Sequence, residues 1–245
     1  VLFRSGCPAA AGATGPAPAR RRQKKADVMR PHPDHPQLRL LDHPLIQHRL
    51  TRMRATTCPT PEFRRLMREI GALMAADVTR DFPLTTTRIE TPLTEMDAPV
   101  LEGGDGVCLV PVLRAGLTLA EGLETALPWA DIGHIGVYRD HETHMPVEYL
   151  VKLPPAGDRR FIVVDPMLAT GNSAIHALDV LKRHGVAGSD IRLAALVAAP
   201  EGVTALQKAH GEVRVYACAL DSHLNENAYI VPGLGDAGDR LFGTA

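Results

Sequence analysis

The sequence predicts an α/β fold with a mostly parallel sheet flanked by helices. Short apolar runs at residues 107–113, 161–164 and 191–198 each suit a strand that is buried on both faces. Segments with apolar residues at helical spacing follow these runs, and such alternation is typical of a parallel sheet with helices on both faces. A chain of 245 residues with 45% hydrophobic content is long enough to bury the core that this fold requires.

Composition excludes several classes of protein. No apolar run approaches the length needed to cross a bilayer, so we predict no membrane contact. The cysteines, Cys7, Cys58, Cys108 and Cys218, are far apart and show no CxxC spacing. Free thiols in a reducing cytosol are the simplest account, which predicts a cytoplasmic location.

Residues 1–36 are rich in Ala, Pro, Gly and Arg and show no hydrophobic periodicity, so we predict a disordered tail. An Arg-rich, acid-poor start is also typical of an organelle transit peptide, but an ordinary tail is the preferred interpretation. The tail holds seven Lys or Arg against two acids, and the rest of the chain holds 20 against 26, a balance of −6. The folded part, residues 37–245, therefore shows no sign of a nucleic-acid surface.

The segment after the tail begins with helical signals. Thr60, Pro61 and Glu62 supply a cap candidate, a first-turn proline and an acid near the positive end of the helix dipole. Apolar residues then recur at helical spacing, which predicts a helix that packs in the core or at a subunit interface and carries no chemistry. Residues 81–106 are polar and rich in proline and glycine, and they predict a small hairpin or a loop.

The stretch from residue 161 to residue 184 carries the strongest chemical signal. The strand ends at Asp165, a loop of small residues follows, and a helix begins near Ser173. We expect the backbone N–H groups from Thr170 to Ser173 to converge at the helix N-terminus, where unpaired donors and the helix dipole bind a phosphate. Open α/β sheets place ligands at the carboxyl ends of strands, so we expect Asp165 to bind the hydroxyls of a sugar phosphate. A plain strand-to-helix connection is the alternative.

Two further segments carry candidate functional residues. Arg114 follows the strand at 107–113, and its guanidinium offers forked donors to phosphate oxygens; a pairing with a surface acid is the alternative. The polar loop at 139–146 contains His141 and His144, which suggests a metal, but their i, i+3 spacing before a proline does not fit a zinc-protease helix. A mobile lid beside the phosphate site is the preferred interpretation.

The C-terminal stretch contains a glycine-rich loop. Residues 233–238 formally match the dinucleotide fingerprint GxGxxG, but only seven residues follow them, so no βαβ unit can be completed. A glycine-rich loop with no helix behind it exposes fixed backbone donors and acceptors, and these suit the edge of a pyrimidine. A C-terminal turn that covers the sheet is the alternative.

Four motifs resemble those of the uracil phosphoribosyltransferase family, within the type I phosphoribosyltransferases. VVDPMLATGNS is similar to the family's ribose-5-phosphate loop, with Asn172 where the family has Gly. DHPLIQHRLTRMR resembles the family's opening segment, PVLRAGL its diphosphate loop, and YIVPGLGDAGDRLFGT its closing segment. The resemblance covers residues 42–244. It implies a phosphoribosyltransferase domain over 37–245, with a β-hairpin arm and a C-terminal hood over 221–245 that binds the base.

The resemblance also implies the residues of the site. Arg114, Arg139, Asp165 and Asp236 are implied as catalytic, with both arginines on the leaving diphosphate. The implied residues of the site for 5-phosphoribosyl 1-diphosphate (PRPP) are Arg114, Arg139, Asp165, Pro166, Met167, Leu168, Ala169, Thr170, Gly171, Asn172, Ser173 and Asp236. Those of the uracil site are Ile230, Gly235, Asp236 and Ala237. Mg²⁺ is implied as the cofactor, held mainly through PRPP and with no direct protein ligand.

The activity that the resemblance implies is transfer of the 5-phosphoribosyl group from PRPP to uracil, giving UMP and diphosphate in pyrimidine salvage. No residue is a convincing nucleophile, so direct transfer is preferred over a covalent intermediate. A homo-oligomer and GTP as an allosteric activator are further implications. Two alternatives stay open: a regulator that binds RNA or nucleotides, which the −6 balance disfavours, and a purine transferase, which the GLGDAGD segment disfavours.

Overall fold

The computed structural model describes residues 31–103, 106–139 and 146–244, without the side chains of residues 138, 139 and 146. Its helices are α1 (Pro44–Arg54), α2 (Thr60–Val78), α3 (Gly116–Glu124), α4 (Asn172–Arg183), α5 (Pro200–Ala209) and α6 (Ala237–Phe242). None of these described helices is both long enough and apolar enough to cross a membrane. Its strands are β1 (Leu38–Leu40), β2 (Leu84–Glu90), β3 (Glu95–Leu101), β4 (Val107–Leu113), β5 (Asp131–Ile132), β6 (His134–Arg139), β7 (Pro146–Lys152), β8 (Arg160–Val164), β9 (Met167–Leu168), β10 (Ile191–Ala198), β11 (Arg214–Leu220), β12 (His223–Leu224) and β13 (Ile230–Val231). Most of the predicted lid, with His141 and His144, lies outside the described residues, as does Cys7.

One sheet of nine strands forms the centre of the part of the chain that the structure describes. Its main path runs β1–β11–β10–β8–β4–β6–β7, while β5 pairs with β4 and β9 pairs with β10. All of these pairs are parallel except β6 with β7. The predicted α/β fold with a mostly parallel sheet and flanking helices is confirmed. Because β4 and β8 are parallel neighbours, the loops that follow them leave the same edge of the sheet.

Both faces of the sheet are buried, as the apolar runs predict. In β8, Ile162 and Val164 belong to the apolar cluster that α1, α2 and α3 complete, whereas Phe161 and Val163 belong to the cluster with α4 and α5. All of these side chains are fully buried. Burying a side chain of this size stabilises the fold by roughly 1.5–3 kcal/mol, so both faces hold β8 firmly in place up to the loop that follows it.

Two glycines set how closely the helices approach the carboxyl edge of the sheet. A Cβ on Gly116 would lie 2.3 Å from the carbonyl oxygen of Val164, so the first turn of α3 packs directly against the end of β8. A Cβ on Gly71 would lie 2.4 Å from the carbonyl oxygen of Leu119, so α2 packs equally closely on α3. This packing places the loop between β4 and α3 beside the loop that follows β8.

The hairpin or loop predicted for residues 81–106 is a hairpin. β2 and β3 pair in antiparallel register, and every residue of β2 is exposed. The hydroxyl of Thr91 accepts hydrogen bonds from the amides of Leu93 and Thr94, which closes the turn. The hairpin therefore projects from the sheet as the arm that the family resemblance implies.

Residues 31–36, which the predicted tail includes, make backbone hydrogen bonds in the structure. The amide of His32 donates to the carbonyl of Leu38 at 3.0 Å, and the amide of Leu38 donates to the carbonyl of His35 at 2.9 Å. Pro31 also bridges to Arg39. The cause is β1, an edge strand on β11 that gives these residues a partner to fold back on. The remainder of the predicted tail, residues 1–30, lies outside the described residues.

Candidate active site

A cavity of about 440 Å³ opens at the carboxyl edge of the sheet, beyond the ends of β4 and β8. The predicted site residues that line it are Arg114, Asp165, Met167, Ala169, Ser173, Ile230, Gly235, Asp236 and Ala237. A smaller cavity of about 80 Å³ adjoins it, and Leu168, Thr170, Gly171 and Asn172 line this one. The loop after β8 and the C-terminal segment, which are far apart in sequence, thus meet around one space.

The phosphate loop, residues 166–173, has the geometry of an anion site. The amide groups of Thr170, Gly171 and Ser173 have no hydrogen-bond acceptor among the described residues. They precede or begin α4, which is 12 residues long, so its dipole adds positive potential at the same place. The amide of Asn172 makes only a long contact, 3.4 Å, with the hydroxyl of Thr170.

Asn172 stands where the family pattern has glycine, and the structure explains why the loop accepts it. The turn is made by Gly171, with φ +86°, a left-handed conformation that favours glycine. Asn172 is the first residue of α4 and does not have a positive φ. A helical position is open to asparagine, so the exchange leaves the turn intact.

The first turn of helix α5 packs directly against the phosphate loop. A Cβ on Gly202 would lie 2.2 Å from the carbonyl oxygen of Ala169 and 2.8 Å from that of Leu168. A Cβ on Gly171 would lie 3.0 Å from the carbonyl oxygen of Gly202. The loop backbone therefore lies directly on the first turn of α5, with no space for a side chain between them.

Pro166 differs from the other predicted residues of this loop, because it lines neither cavity. Its carbonyl accepts hydrogen bonds from the amides of Leu196 and Val197 in β10, at 3.0 and 3.2 Å. Its backbone thus joins the loop to the sheet, and its predicted contact with PRPP stays a prediction.

Asp165 lies half-buried at the base of the cavity, immediately after β8. Burial raises the pKa of Asp165 to about 6, and the hydrogen bond that its carboxylate accepts from the amide of Met167 acts in the opposite direction. The carboxylate is therefore largely ionised at neutral pH and becomes protonated in mild acid. An ionised carboxylate in this position can accept hydrogen bonds from two neighbouring hydroxyls.

Arg114 lies in the loop between β4 and α3 and has no acidic partner among the described residues. The alternative, in which Arg114 pairs with a surface acid, is therefore not observed among the described residues. The guanidinium carbon lies 5.2 Å from the centre of the Phe242 ring, so α6 covers one side of the arginine. Its donors stay available to an anion in the cavity. The other predicted arginine, Arg139, ends β6, and its side chain lies outside the described residues.

The prediction that no helix follows the glycine-rich loop is wrong, because α6 begins at Ala237. The side chain of Asp236 caps this helix by accepting a hydrogen bond from the amide of Asp239 at 2.9 Å, and Gly243, with φ +67°, ends it. The spacing from Asp236 to Asp239 and the late glycine were the signals for a short helix. Gly235, with φ +75°, still exposes backbone to the cavity, as predicted.

Three residues that the sequence did not single out also line the cavity, namely Asn227, Ala228 and Tyr229. They lie in a turn in which the side chain of Asn225 accepts hydrogen bonds from the amides of Asn227 and Tyr229. The asparagines in LNENAY could have predicted this turn. Their place at the cavity could not be predicted, because it depends on how β12 and β13 fold over the sheet.

A family model described as uracil phosphoribosyltransferase matches residues 40–244 of the chain. The chain belongs to the uracil phosphoribosyltransferase family. A uracil phosphoribosyltransferase from Rhodospirillum centenum is 64% identical over 216 residues, which cover 88% of this chain and all of that protein. One from Paraburkholderia phymatum is 60% identical over 209 residues, which cover 85% of this chain and 96% of that protein.

A solved structure has a similar fold. The AQ2163 protein from Aquifex aeolicus superimposes with a TM-score of 0.80 at 31% sequence identity, and the match covers 85% of this chain and 99% of that one. Members of the family therefore match this chain over nearly their whole length. The family resemblance that the motifs indicate is confirmed.

Proposed function

We propose that this chain transfers the 5-phosphoribosyl group from PRPP to uracil and releases UMP and diphosphate. It acts as a pentosyltransferase of pyrimidine salvage. One observation carries the proposal: the phosphate loop and the C-terminal segment line the same cavity, so a sugar phosphate and a base can be held face to face. Family membership supports the same reaction.

The phosphate loop holds the 5-phosphate of PRPP. The free amides of Thr170, Gly171 and Ser173 donate hydrogen bonds to its oxygens, and the dipole of α4 adds to the attraction. Asp165 lines both cavities, so its carboxylate accepts hydrogen bonds from the ribose hydroxyls while the phosphate occupies the smaller one. This arrangement fixes the sugar at two points and presents C1 to the larger cavity.

The base lies against the C-terminal segment. Ile230, Gly235 and Ala237 line the larger cavity, and uracil carries alternating donors and acceptors along its edge that backbone groups here can pair with. Backbone groups on a capped helix and on fixed turns keep their positions, so they discriminate between bases of different edge pattern. Asp236 lines the cavity as well.

The reaction breaks the bond between C1 and the diphosphate oxygen, and the electron pair leaves with the diphosphate. Arg114 stabilises the negative charge that develops on this leaving group, because its guanidinium has no acidic partner in the described structure. Arg139, at the end of β6, contributes a second cation. A nitrogen of uracil attacks C1 directly as the bond to the diphosphate breaks, and the proton of its N–H group passes to water, without a covalent intermediate on the enzyme.

Mg²⁺ is the cofactor of the proposed reaction. Among the described residues there is no cluster of three His, Cys, Asp or Glu side chains that could hold a metal. Asp165 and Asp236 both line the cavity, and one carboxylate oxygen of Asp236 caps α6. These few carboxylates fit an ion that keeps water and takes most of its ligands from the phosphates of PRPP. The ion supplies neutralisation of charge on the diphosphate.

The remaining proposals concern the oligomeric state of the protein, its regulation and its location. We infer a homo-oligomer, supported by the apolar side chains that the hairpin exposes, among them Leu84, Leu93 and Met96. GTP acts as an allosteric activator, a proposal that rests on family resemblance. The location is cytoplasmic, supported by the free thiols of Cys58, Cys108 and Cys218.

The test is formation of UMP from labelled uracil and PRPP, with and without Mg²⁺. We expect product only when uracil and PRPP are both present, and a large loss when a chelator removes the metal. Hypoxanthine and guanine are tested in parallel, and equal use of either base would contradict the proposal. A filter-binding assay with pyrimidine-operon leader RNA should show no specific binding.

A further inference from the structure

Gly233, in the middle of the base-binding segment, is held through both of its peptide groups by one ion pair. The guanidinium of Arg54 donates to both carboxylate oxygens of Asp221 at 2.7 Å. The same guanidinium donates to the carbonyl oxygen of Gly233 at 2.6 Å, and the amide of Gly233 donates to Asp221 at 2.9 Å. The arginine, the carboxylate and the glycine thus form a closed ring of hydrogen bonds.

This ring lies beside the residues that contact the base. Gly233 stands between Ile230 and Gly235, both of which line the cavity. Its φ is +59°, and a Cβ would lie 2.0 Å from the carbonyl oxygen of Ile230, so the chain doubles back on itself here. A backbone folded this tightly keeps one conformation only when the groups around it hold it there.

The ion pair is largely withdrawn from solvent. The side chain of Asp221 is 6% exposed and that of Arg54 is 23% exposed. A forked contact between guanidinium and carboxylate fixes direction as well as distance, which a single point charge does not. If the guanidinium is lost, a buried carboxylate is left without its partner, and the amide and carbonyl of Gly233 are freed to move.

We propose that Arg54 and Asp221 are positioning residues for the base, and that they hold residues 230–235 in the conformation that binds it. The inference rests on the proposed function. Arg54 ends α1, far from the motifs to which the sequence assigns chemistry. A second arginine reinforces the same segment, since Arg240 donates to the carbonyls of Leu234 and Ala55 at 2.8 and 2.7 Å.

The effect of the ion pair is specific to the base. The phosphate loop lies on α5, through the contact of Gly202 with Ala169, and none of the hydrogen bonds of Arg54 or Asp221 reaches it. Binding of PRPP is therefore independent of the ion pair. A general weakening of the fold, in contrast, would lower the active fraction and the melting temperature without changing either KM.

The test compares Arg54→Lys with Arg49→Lys. Arg49 lies on the same helix, is 25% exposed, and also bonds one carboxylate, that of Glu69 at 2.6 Å, and one carbonyl, that of Leu45 at 3.1 Å. Each lysine keeps the charge, but only Arg54→Lys loses a forked contact, because Arg49 binds its carboxylate through one nitrogen. For Arg54→Lys we expect the KM for uracil to rise about tenfold or more, the scale of one lost charged hydrogen bond, with the KM for PRPP and kcat within about twofold of the wild type. For Arg49→Lys we expect no change in any of the three.

A second variant, Asp221→Asn, has nearly the same shape and removes the charge, and it should raise the KM for uracil in the same selective way. An equal rise in both KM values, or a fall in melting temperature with unchanged KM, would overturn the inference, as would failure of both variants to fold. A wild-type enzyme that makes no UMP would overturn the proposed function instead. The two failures are therefore distinguishable.

Discussion

Substitution of Gly202 by alanine is the most direct test of how the phosphate loop is positioned. Gly202 lies in the first turn of α5, beneath the loop, and contacts no predicted substrate atom. Alanine adds one methyl group and has a higher helix propensity than glycine by about 1 kcal/mol, so the helix itself is not weakened. Any loss of activity must then come from the contact between this helix and the loop.

The size of the effect follows from the distances. The added Cβ would lie 2.2 Å from the carbonyl oxygen of Ala169, whereas ordinary contacts begin near 3.4 Å. The obstacle is backbone on both sides, so no side chain can rotate away, and the loop must move by about 1 Å. A displacement of this size at a binding site reduces catalysis by about a hundredfold, and we expect this loss in kcat/KM for PRPP.

The assay is steady-state UMP formation with PRPP varied at saturating uracil, together with a thermal melt. Gly211→Ala is the matched control, because this glycine follows the other end of α5 and its added Cβ would lie 3.4 Å from the nearest atom. We expect the control to keep wild-type kinetics. An unchanged kcat/KM for PRPP in Gly202→Ala would refute the idea that α5 positions the loop, and a melting temperature that falls to the same extent as activity would assign the loss to unfolding.

Three further predictions follow from the site and the arm. Arg114→Ala should lower kcat by about tenfold or more with an unchanged melting temperature, because one donor to the leaving diphosphate is lost; unchanged steady-state kinetics would remove Arg114 from the mechanism. Since burial raises the pKa of Asp165 from 3.8 to about 6, the folded state holds this proton more tightly than the unfolded state, and the carboxyl's contribution to stability falls as pH rises through that interval. Urea titrations should therefore show that Asp165→Asn raises the free energy of unfolding at pH 7 and not at pH 4, and equal gains at both pH values would contradict this account. In the wild type, kcat/KM for PRPP should decrease as the pH is lowered below about 6. Leu93 is 96% exposed at the tip of the hairpin, and Leu93→Asp should shift the protein toward monomer in sedimentation. An unchanged sedimenting mass would exclude the tip from the oligomer contact.

The sequence predicted the sheet and the phosphate loop well because both are encoded locally. The strand at 191–198 was predicted to the residue, since burial on both faces requires an uninterrupted apolar run. The phosphate loop is similarly compact, with the acid, the turn glycine and the helix start all within nine residues, 165–173. In such segments the side chains and the backbone they specify are neighbours in the chain.

The sequence did not predict the features that depend on distant partners. Arg54 and Asp221 are 167 residues apart, and nothing in either neighbourhood indicates the other. Asn227 and Tyr229 line the cavity because β13 returns to pair with β12, a pairing that two-residue strands do not specify on their own. The helix α6 is a different case, because Asp236 and Gly243 were visible as its cap and its end.

The first turn of α5 explains how the two walls of the cavity keep their separation. Gly202 lies beneath the phosphate loop, and its neighbour Glu201 accepts a hydrogen bond from the amide of Leu224 in β12 at 3.0 Å. That bond, the largest influence on the residue, holds the pKa of Glu201 below its ordinary value. Two consecutive residues thus contact the phosphate loop and β12, the strand that pairs with the cavity-lining β13. Because the proposed transfer joins a sugar carbon to a base nitrogen, we expect this shared support to keep the phosphate loop and the C-terminal segment at a fixed separation.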